Sequence, residues 1–421
     1  MDIREDTMFR PTMMLLAAMI VGSGMDYLFH IYMARALLPI QYSELAAIMS
    51  LLMILSLPLK TVSNIMTRFV TEYYAEGSEA KIAGLLKRTT LLTAVIGGLA
   101  ALVIVFLTPI IERGLSLSSP YLVSMLAIGV FFKLMFGVYQ GTIQALQMFG
   151  WFSAQQVITA FFKIITGIVA VTIGYGVGGA FLAAVLATVV SLILTAAPAA
   201  RYFFIKAPSF DMGKVGVFVL PSMVAAVSYG LLTNVDLVAV RIFIEGEQAG
   251  LFAAASQMSK LIVFLPASVA TVLFPQVTSA LKMGDDPIPI LKKALLSSLI
   301  LCIIPTLAIA AFPDLVLTIL YGEAYVGAAD ALVPLCFAMT FFGIGNLFLV
   351  FGLASDGHRF VAIIALLSIL EIIVMGLFHN TIEQLALGIL AVSALMCLFC
   401  SLYLLQNVKN GSGPYWASRN I

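Results

Sequence analysis

Charged side chains are scarce in this sequence. Aspartate, glutamate, lysine and arginine make up only 10% of its 421 residues, against about 25% in soluble domains. Hydrophobic residues reach 62%, and apolar stretches of roughly 20 residues, enough to cross a bilayer, recur from Thr12 almost to the C-terminus. These features exclude a water-soluble fold. The net charge of +1 gives no indication of nucleic-acid binding.

The groups that most enzymes need are also few. The sequence has three histidines and four cysteines, and it contains no phosphate-binding GxxxxGK[ST] loop, no GxSxG elbow and no HExxH or zinc-ligand spacing. Cys397 and Cys400 form a CxxC pair inside an apolar stretch, where a thiol acts as a small hydrophobic group. We therefore expect neither an enzyme nor a bound cofactor or metal. A membrane-embedded sugar polymerase or ligase is an alternative with few residues to support it.

The pattern of apolar runs predicts an all-α integral membrane protein with twelve transmembrane helices. The breaks between runs are marked by charged residues, glycine or proline. The predicted spans are 12–34, 44–66, 89–111, 120–142, 153–174, 177–200, 215–240, 249–274, 294–313, 327–352, 360–379 and 384–405.

The distribution of basic residues tests this number of spans. With the N-terminus in the cytoplasm, fifteen lysines and arginines fall in inner segments and three in outer ones. Cytoplasmic loops of membrane proteins are enriched in such residues. The asymmetry therefore predicts a multi-pass protein of the cell membrane, with its N- and C-termini cytoplasmic.

Several features recur about half a chain apart. Pairs of similar residues are separated by 206 to 208 positions: Arg35 and Arg241, Pro58 and Pro266, Gly150 and Gly357, and Asp26 and Asn234. They predict two six-helix lobes, at 1–206 and 207–421. Because six is an even number, both lobes run in the same direction, and we expect a pseudo-two-fold axis along the membrane normal, with a substrate path between the lobes.

Four lysines fall inside predicted spans, where a charge at the bilayer centre costs about 2.5–3.5 kcal/mol. Lys133 and Lys163 are each fifteen residues from Met148 in the intervening loop, so an antiparallel hairpin places them at the same depth, about 22 Å along the helices. Two ammonium groups at one depth repel each other unless an anion lies between them. The hypothesis is a cationic cavity for a phosphate-bearing substrate, completed by Lys260 and Lys60.

A different role for these lysines remains open. Lys133 or Lys163 could pair with Asp26 or Glu371 and hold helices together. On the same helix as Lys133, Gln140 and Gln144 are candidates to line a polar path for sugar hydroxyls, or they simply mark the membrane interface.

The acidic residues of the predicted spans are candidates for ion coupling. Asp26, Asp236 and Glu371 are placed to bind a proton or Na⁺, because burial favours a carboxyl that takes up protons reversibly. Their alternative role is to act as counter-ions for the lysines. His30 lies one helical turn from Asp26 and is placed to share a proton with it.

Several motifs resemble those of a known membrane family. The stretch 234–285 contains Asp236, Gly250, Pro266 and the pair Phe274-Pro275. In the first half, Arg35, Pro39 and Tyr42 form an R-x-x-x-P-x-x-Y link, followed by the run EYYAEG at 72–77. These features resemble the Wzx-type polysaccharide and O-antigen flippases of the multidrug/oligosaccharidyl-lipid/polysaccharide (MOP) exporter superfamily. Departures from that pattern are Leu38, Ser43 and Phe252.

The resemblance implies two six-helix lobes in an inverted V that alternates between inward-open and outward-open states. It implies a polyprenyl-diphosphate-linked oligosaccharide as the substrate, moved from the cytoplasmic to the outer leaflet for surface polysaccharide assembly. Polysaccharide-assembly proteins and membrane lipids are the implied partners. An ion-coupled multidrug or cation exporter of the same superfamily is the main alternative, and a receptor or structural subunit is a further one.

Overall fold

The computed structural model describes residues 3–206, 213–355 and 358–410. Within these ranges the chain forms helices and turns and no strand. The first half contains α1 (Ile3–Ala36), α2 (Pro39–Leu55), α3 (Pro58–Ala75), α4 (Glu79–Phe106), α5 (Thr108–Gly114), α6 (Tyr121–Ala145), α7 (Phe149–Thr172) and α8 (Gly176–Ala199), then a 3₁₀ turn at Ala200–Phe204.

The second half likewise contains helices joined by short connections. They are α9 (Gly213–Leu232), α10 (Val235–Phe243), α11 (Glu247–Met283), α12 (Ile288–Ala311), α13 (Pro313–Leu320), a 3₁₀ turn at Glu323–Ala328, α14 (Ala329–Ala354), α15 (His358–Leu377) and α16 (Ile382–Asn410). Gly284, with φ of 80°, ends α11 in the left-handed conformation that favours glycine.

Among the described residues, nine helices are long and apolar enough to cross a membrane, and two bent pairs bring the number to as many as eleven. The pairs are α2 with α3, bent by 41°, and α9 with α10, bent by 47°. The protein is thus a multi-pass, all-helical membrane protein. Helix α1, which covers the first predicted span, is not among these candidates, so the number twelve stays a prediction.

The two prolines predicted to kink spans behave differently. Pro58 is the first residue of α3 and directly follows the 41° bend, where its missing N–H costs no helical hydrogen bond. Pro266 lies inside α11, which continues unbroken to Met283. The predicted repeat therefore pairs a helix break with a proline in a continuous helix. Gly357, of another predicted pair, lies outside the described residues.

Helix α6 is the centre of the first compact unit, Met1–Met223, and packs against α3, α4 and α8. Its Gly137 and Gly141 form a small-xxx-small pair, which lets two membrane helices approach closely. A methyl group on Gly137 would lie 2.8 Å from Leu59 Cγ, and one on Gly141 would overlap the carbonyl oxygen of Ser63. The contact between α3 and α6 therefore depends on the absence of side chains there.

Helix α14 has the corresponding position in the second unit, Val224–Ile421, where it packs against α11, α12 and α16. Gly343 faces the ring of Pro266, and Gly345 faces the side chain of Met396. Glycines again set the distance between helices. The lobe boundary predicted at residue 206 adjoins the undescribed stretch 207–212 and stays a prediction.

We expect Gly141→Ala to destabilise the first unit by about 1–3 kcal/mol, because its methyl group pushes α3 away from α6. The measurement is the unfolding temperature of the purified protein in detergent. Gly98→Ala on α4 is the matched control, since nothing lies within 4 Å of a methyl group at that glycine. Equal unfolding temperatures for the two variants would contradict the close contact.

Candidate functional site

Lys163 and Asp26 form an ion pair between α7 and α1, with 2.6 Å between Lys163 Nζ and Asp26 Oδ1. Lys163 is buried, whereas 57% of the Asp26 side chain is exposed. The ammonium group also lies 4.3 Å from the centre of the Phe29 ring, a cation–π geometry. Gly167 allows this approach, because a methyl group there would lie 2.6 Å from the Phe29 ring. Lys163 therefore has the acidic partner that the sequence left open.

Lys133 has no such partner. Its Nζ lies 2.9 Å from Met53 Sδ on α2, and among the described residues no carboxylate is within ion-pair distance of it. The half-buried ammonium group interacts electrostatically with Lys163 and Asp26. The three charges thus belong to one group with a net positive charge, which places the two lysines near each other as predicted from their depth.

Two further predicted residues extend this polar region along α6. Lys133, Gln140 and Gln144 are spaced by seven and four residues, so they lie on one face of the helix. Gln140 is half-buried and Gln144 is exposed. Lys60, on α3, is exposed and makes no ion pair within the described ranges. Within the described ranges, the first unit therefore carries two lysines of the predicted spans without a carboxylate partner, the exposed Lys60 and the half-buried Lys133.

His30 is buried on α1, one turn beyond Asp26. Its Nδ1 lies 3.5 Å from the Tyr42 hydroxyl, and its ring meets Phe29 edge to face at 5.6 Å. His30 also interacts electrostatically with Asp26. The predicted proximity of His30 and Asp26 is present, and a hydrogen bond to Tyr42 at the start of α2 holds the ring.

A second charged cluster lies in the second unit. Lys260 Nζ on α11 is 3.0 Å from Asp236 Oδ1 on α10, and the hydroxyl of Ser256 donates a hydrogen bond to the other oxygen of Asp236. Glu371 on α15 is fully buried, and neither of its carboxylate oxygens has a hydrogen-bond partner in the described structure. Glu371 interacts electrostatically with Asp236 and Lys260. This cluster combines two acids with one lysine, the opposite balance to the first unit.

The sequence reasoning missed polar residues in both units. Ser256 precedes Lys260 by one helical turn, and this spacing was a signal that both could reach Asp236. On α3, the polar residues Asn64, Thr67 and Thr71 recur at helical spacing, which was a signal for a polar face.

Other predicted features concern cysteines and metals. The four cysteines are free thiols, and Cys397 Sγ lies 3.2 Å from the carbonyl oxygen of Phe341. Across the described ranges, no group of three or more histidine, cysteine, aspartate or glutamate residues is arranged to hold a metal ion.

Comparison with known proteins identifies the family to which the chain belongs. The profile of the family described as polysaccharide biosynthesis protein matches residues 9–281, more than half of the chain. The chain belongs to this polysaccharide biosynthesis protein family. The match covers all of the first unit's charged cluster, together with Asp236, Ser256 and Lys260. No curated protein matches the chain.

Solved structures resemble this member of the polysaccharide biosynthesis family over nearly its whole length. An inward-facing multidrug resistance MATE transporter of the MOP superfamily has a TM-score of 0.77 at 13% identity, covering 92% of this chain and 95% of its own. The lipid II flippase MurJ, in an inward closed conformation, has a TM-score of 0.69 at 14% identity, covering 94% and 87%.

A third structure comes from Pyrococcus furiosus. It is a MOP superfamily transporter whose binding pocket is described as having reverse polarity, with a TM-score of 0.64 at 16% identity, covering 95% of this chain and 96% of its own. At these identities the likeness establishes the fold. The expected resemblance to MOP superfamily proteins is thus confirmed at the level of the fold.

The ion pair of the buried Asp236 with the half-buried Lys260 gives a prediction for stability. We expect Asp236→Asn to destabilise the purified protein by about 3 kcal/mol, because the half-buried ammonium group of Lys260 loses its counter-ion. The double variant Asp236→Asn with Lys260→Met should cost less than the sum of the single variants. The exposed pair of Lys81 and Glu76, at 2.6 Å, is the control. Additive losses in a thermal unfolding cycle would contradict coupling between Asp236 and Lys260.

Proposed function

We propose that this protein is a flippase that moves a polyprenyl-diphosphate-linked oligosaccharide from the cytoplasmic to the outer leaflet of the cell membrane. The product would supply the assembly of a surface polysaccharide, and polysaccharide-assembly proteins would be its partners. Membership of the polysaccharide biosynthesis family and the fold shared with a lipid II flippase support this proposal.

The observation that carries the proposal is the positive charge of the first unit. Lys163 is neutralised by Asp26, but Lys133 and Lys60 have no carboxylate partner among the described residues. Charges inside a membrane face protein or water and mark substrate paths. A diphosphate is an anion that two unpaired ammonium groups can stabilise in a region of low dielectric constant. Its prenyl tail can stay in the lipid.

We further propose twelve spans in two six-span halves, with cytoplasmic termini and alternating access. Each predicted span overlaps at least one helix, and two of the spans fall on the bent pairs. The fourth span, α6, packs against the second, third and sixth. The tenth, α14, packs against the eighth, ninth and twelfth. The same packing order within each half supports a repeated unit.

The second unit is proposed to couple transport to an ion. Asp236 is held by Lys260 and Ser256, whereas Glu371 is fully buried with both carboxylate oxygens unpartnered. A buried carboxyl without partners is stabilised by binding a proton or a cation such as Na⁺. Glu371 is therefore the proposed carrier. The electrostatic potential around the two clusters also depends on Asp236, Asp26 and His30.

One observation favours the alternative of a drug or cation exporter. Asp26 exposes 57% of its side chain, so an organic cation can reach its carboxylate. The nearby Lys133 and Lys163 oppose this reading, because they repel any cation that approaches Asp26. Competition by organic cations for transport would favour the exporter.

We expect Lys133→Ala to lower the rate of oligosaccharide flipping by roughly tenfold to a hundredfold, the loss of one charge-assisted hydrogen bond. The assay uses proteoliposomes loaded with the lipid-linked oligosaccharide extracted from the source cells. Protein stability should not change, because no acid loses its partner. Lys163→Ala should lower transport and stability together, since it leaves Asp26 unpaired.

The control for this series is Lys81→Ala, which removes an exposed lysine in the first turn of α4. Its transport rate should equal that of the wild type. A Lys133→Ala protein that flips the substrate at the wild-type rate would refute the cationic site.

We expect Glu371→Gln to remove the dependence of transport on an imposed proton or sodium gradient, because an amide neither releases a proton nor carries a negative charge. The measurement is the flipping rate with and without each gradient. Glu383→Gln, an exposed residue on α16, serves as the control. Unchanged gradient dependence in Glu371→Gln would show that coupling lies elsewhere.

A further inference from the structure

Helix α3 has a polar face that the charged cluster does not use. Lys60, Asn64, Thr67 and Thr71 recur every three or four residues, so they lie on one side of the helix. Asn64 and Thr71 are exposed, while the opposite side, with Ile65, Met66, Phe69 and Val70, is buried in the first unit. The buried side accounts for the packing of α3, and the polar side is left open.

The polar faces of α3 and α6 form one surface. The two helices run parallel, because Leu59 faces Gly137 and Ser63 faces Gly141 further along both chains. The hydroxyl of Thr67 lies 3.3 Å from the carbonyl oxygen of Gly141 at their seam. From this contact, the helical positions of Asn64 on α3 and of Gln140 on α6 point to the same side.

The side-chain amides on this surface are without partners in the part of the chain that the structure describes. Asn64, Gln140 and Gln144 make no side-chain hydrogen bond to any described residue. Lipid tails cannot replace such bonds, so these amides need water or a polar ligand. Amides both donate and accept hydrogen bonds, as sugar hydroxyls do. Lys60 and Lys133, the proposed diphosphate ligands, lie towards the N-terminal ends of α3 and α6 on the same surface.

We propose that this surface, the α3/α6 track of Asn64, Thr67, Thr71, Gln140 and Gln144, binds the carbohydrate part of the substrate. This inference rests on the proposed flippase function. The diphosphate lies against Lys60 and Lys133, and the sugars extend from it along the track towards the C-terminal ends of α3 and α6. From Lys60 to Thr71 the track is about 16 Å long at 1.5 Å per residue, so it contacts several hydroxyl groups at once.

The test compares two probes on the full-length protein in lipid nanodiscs. One is the lipid-linked oligosaccharide extracted from the source cells, and the other is polyprenyl diphosphate, which carries no sugar. The variant is the triple substitution Asn64→Ala, Gln140→Ala and Gln144→Ala. We expect its Kd for the oligosaccharide probe to rise at least tenfold and its Kd for polyprenyl diphosphate to change less than twofold. Lys133→Ala should weaken both probes.

The other outcomes would contradict either the track or the flippase proposal. The proposed track would be wrong if the triple variant kept the wild-type Kd for both probes. It would also be wrong if the Kd rose by the same factor for both probes. If the wild type binds both probes equally tightly, the track also fails, while the diphosphate site stands. If the wild type binds neither probe, the flippase proposal itself fails. Gln384→Ala, an exposed amide on α16, is the matched control and should bind both probes like the wild type.

Discussion

The structure depends on one constraint, that a lipid bilayer solvates neither charges nor free backbone groups. Helices satisfy the backbone, so nearly the whole described chain is helical. Charged side chains are then the costly exceptions. Asp26 with Lys163 and Asp236 with Lys260 meet the constraint by pairing across helices. Lys133 and Glu371 have no ion-pair partner among the described residues. A bound substrate or ion would therefore stabilise these two charged residues the most.

Helix packing follows from the same constraint. Hydrophobic burial does not drive helices together in lipid, so close van der Waals contact has to do so. Gly137 and Gly141 let α3 approach α6, and Gly343 lets α11 approach α14. In the first unit this contact has a second consequence, because it aligns the polar side of α3 with that of α6. Glycines that carry no polar group thus assemble a polar surface.

The spans could be predicted from sequence because their signal is strong and local. Every predicted span overlaps a helix or a bent pair. The short helices α5 and α13 were not predicted, since a single hydropathy run does not show a break within it. The shared location of Lys133 and Lys163 followed from their equal distance from Met148. The identity of the lysine that pairs with Asp26 could not be predicted from the sequence. It depends on the contact of Gly167 with Phe29, and thus on the rotation of α1 against α7.

The opposite charge balance of the two units links the proposed substrate site to the proposed ion site. The described cluster of the first unit has an excess of lysines, so an anionic headgroup stabilises it. The cluster of the second unit has an excess of carboxylates, so a proton or cation stabilises it. Each unit, when empty, holds a desolvated charge that its own ligand neutralises. Any conformational change that moves both sites away from water is therefore more favourable when both ligands are bound, which is the thermodynamic condition for coupling. No direct contact between the two ligands is needed for this coupling, because each acts through the cost of burying its own site.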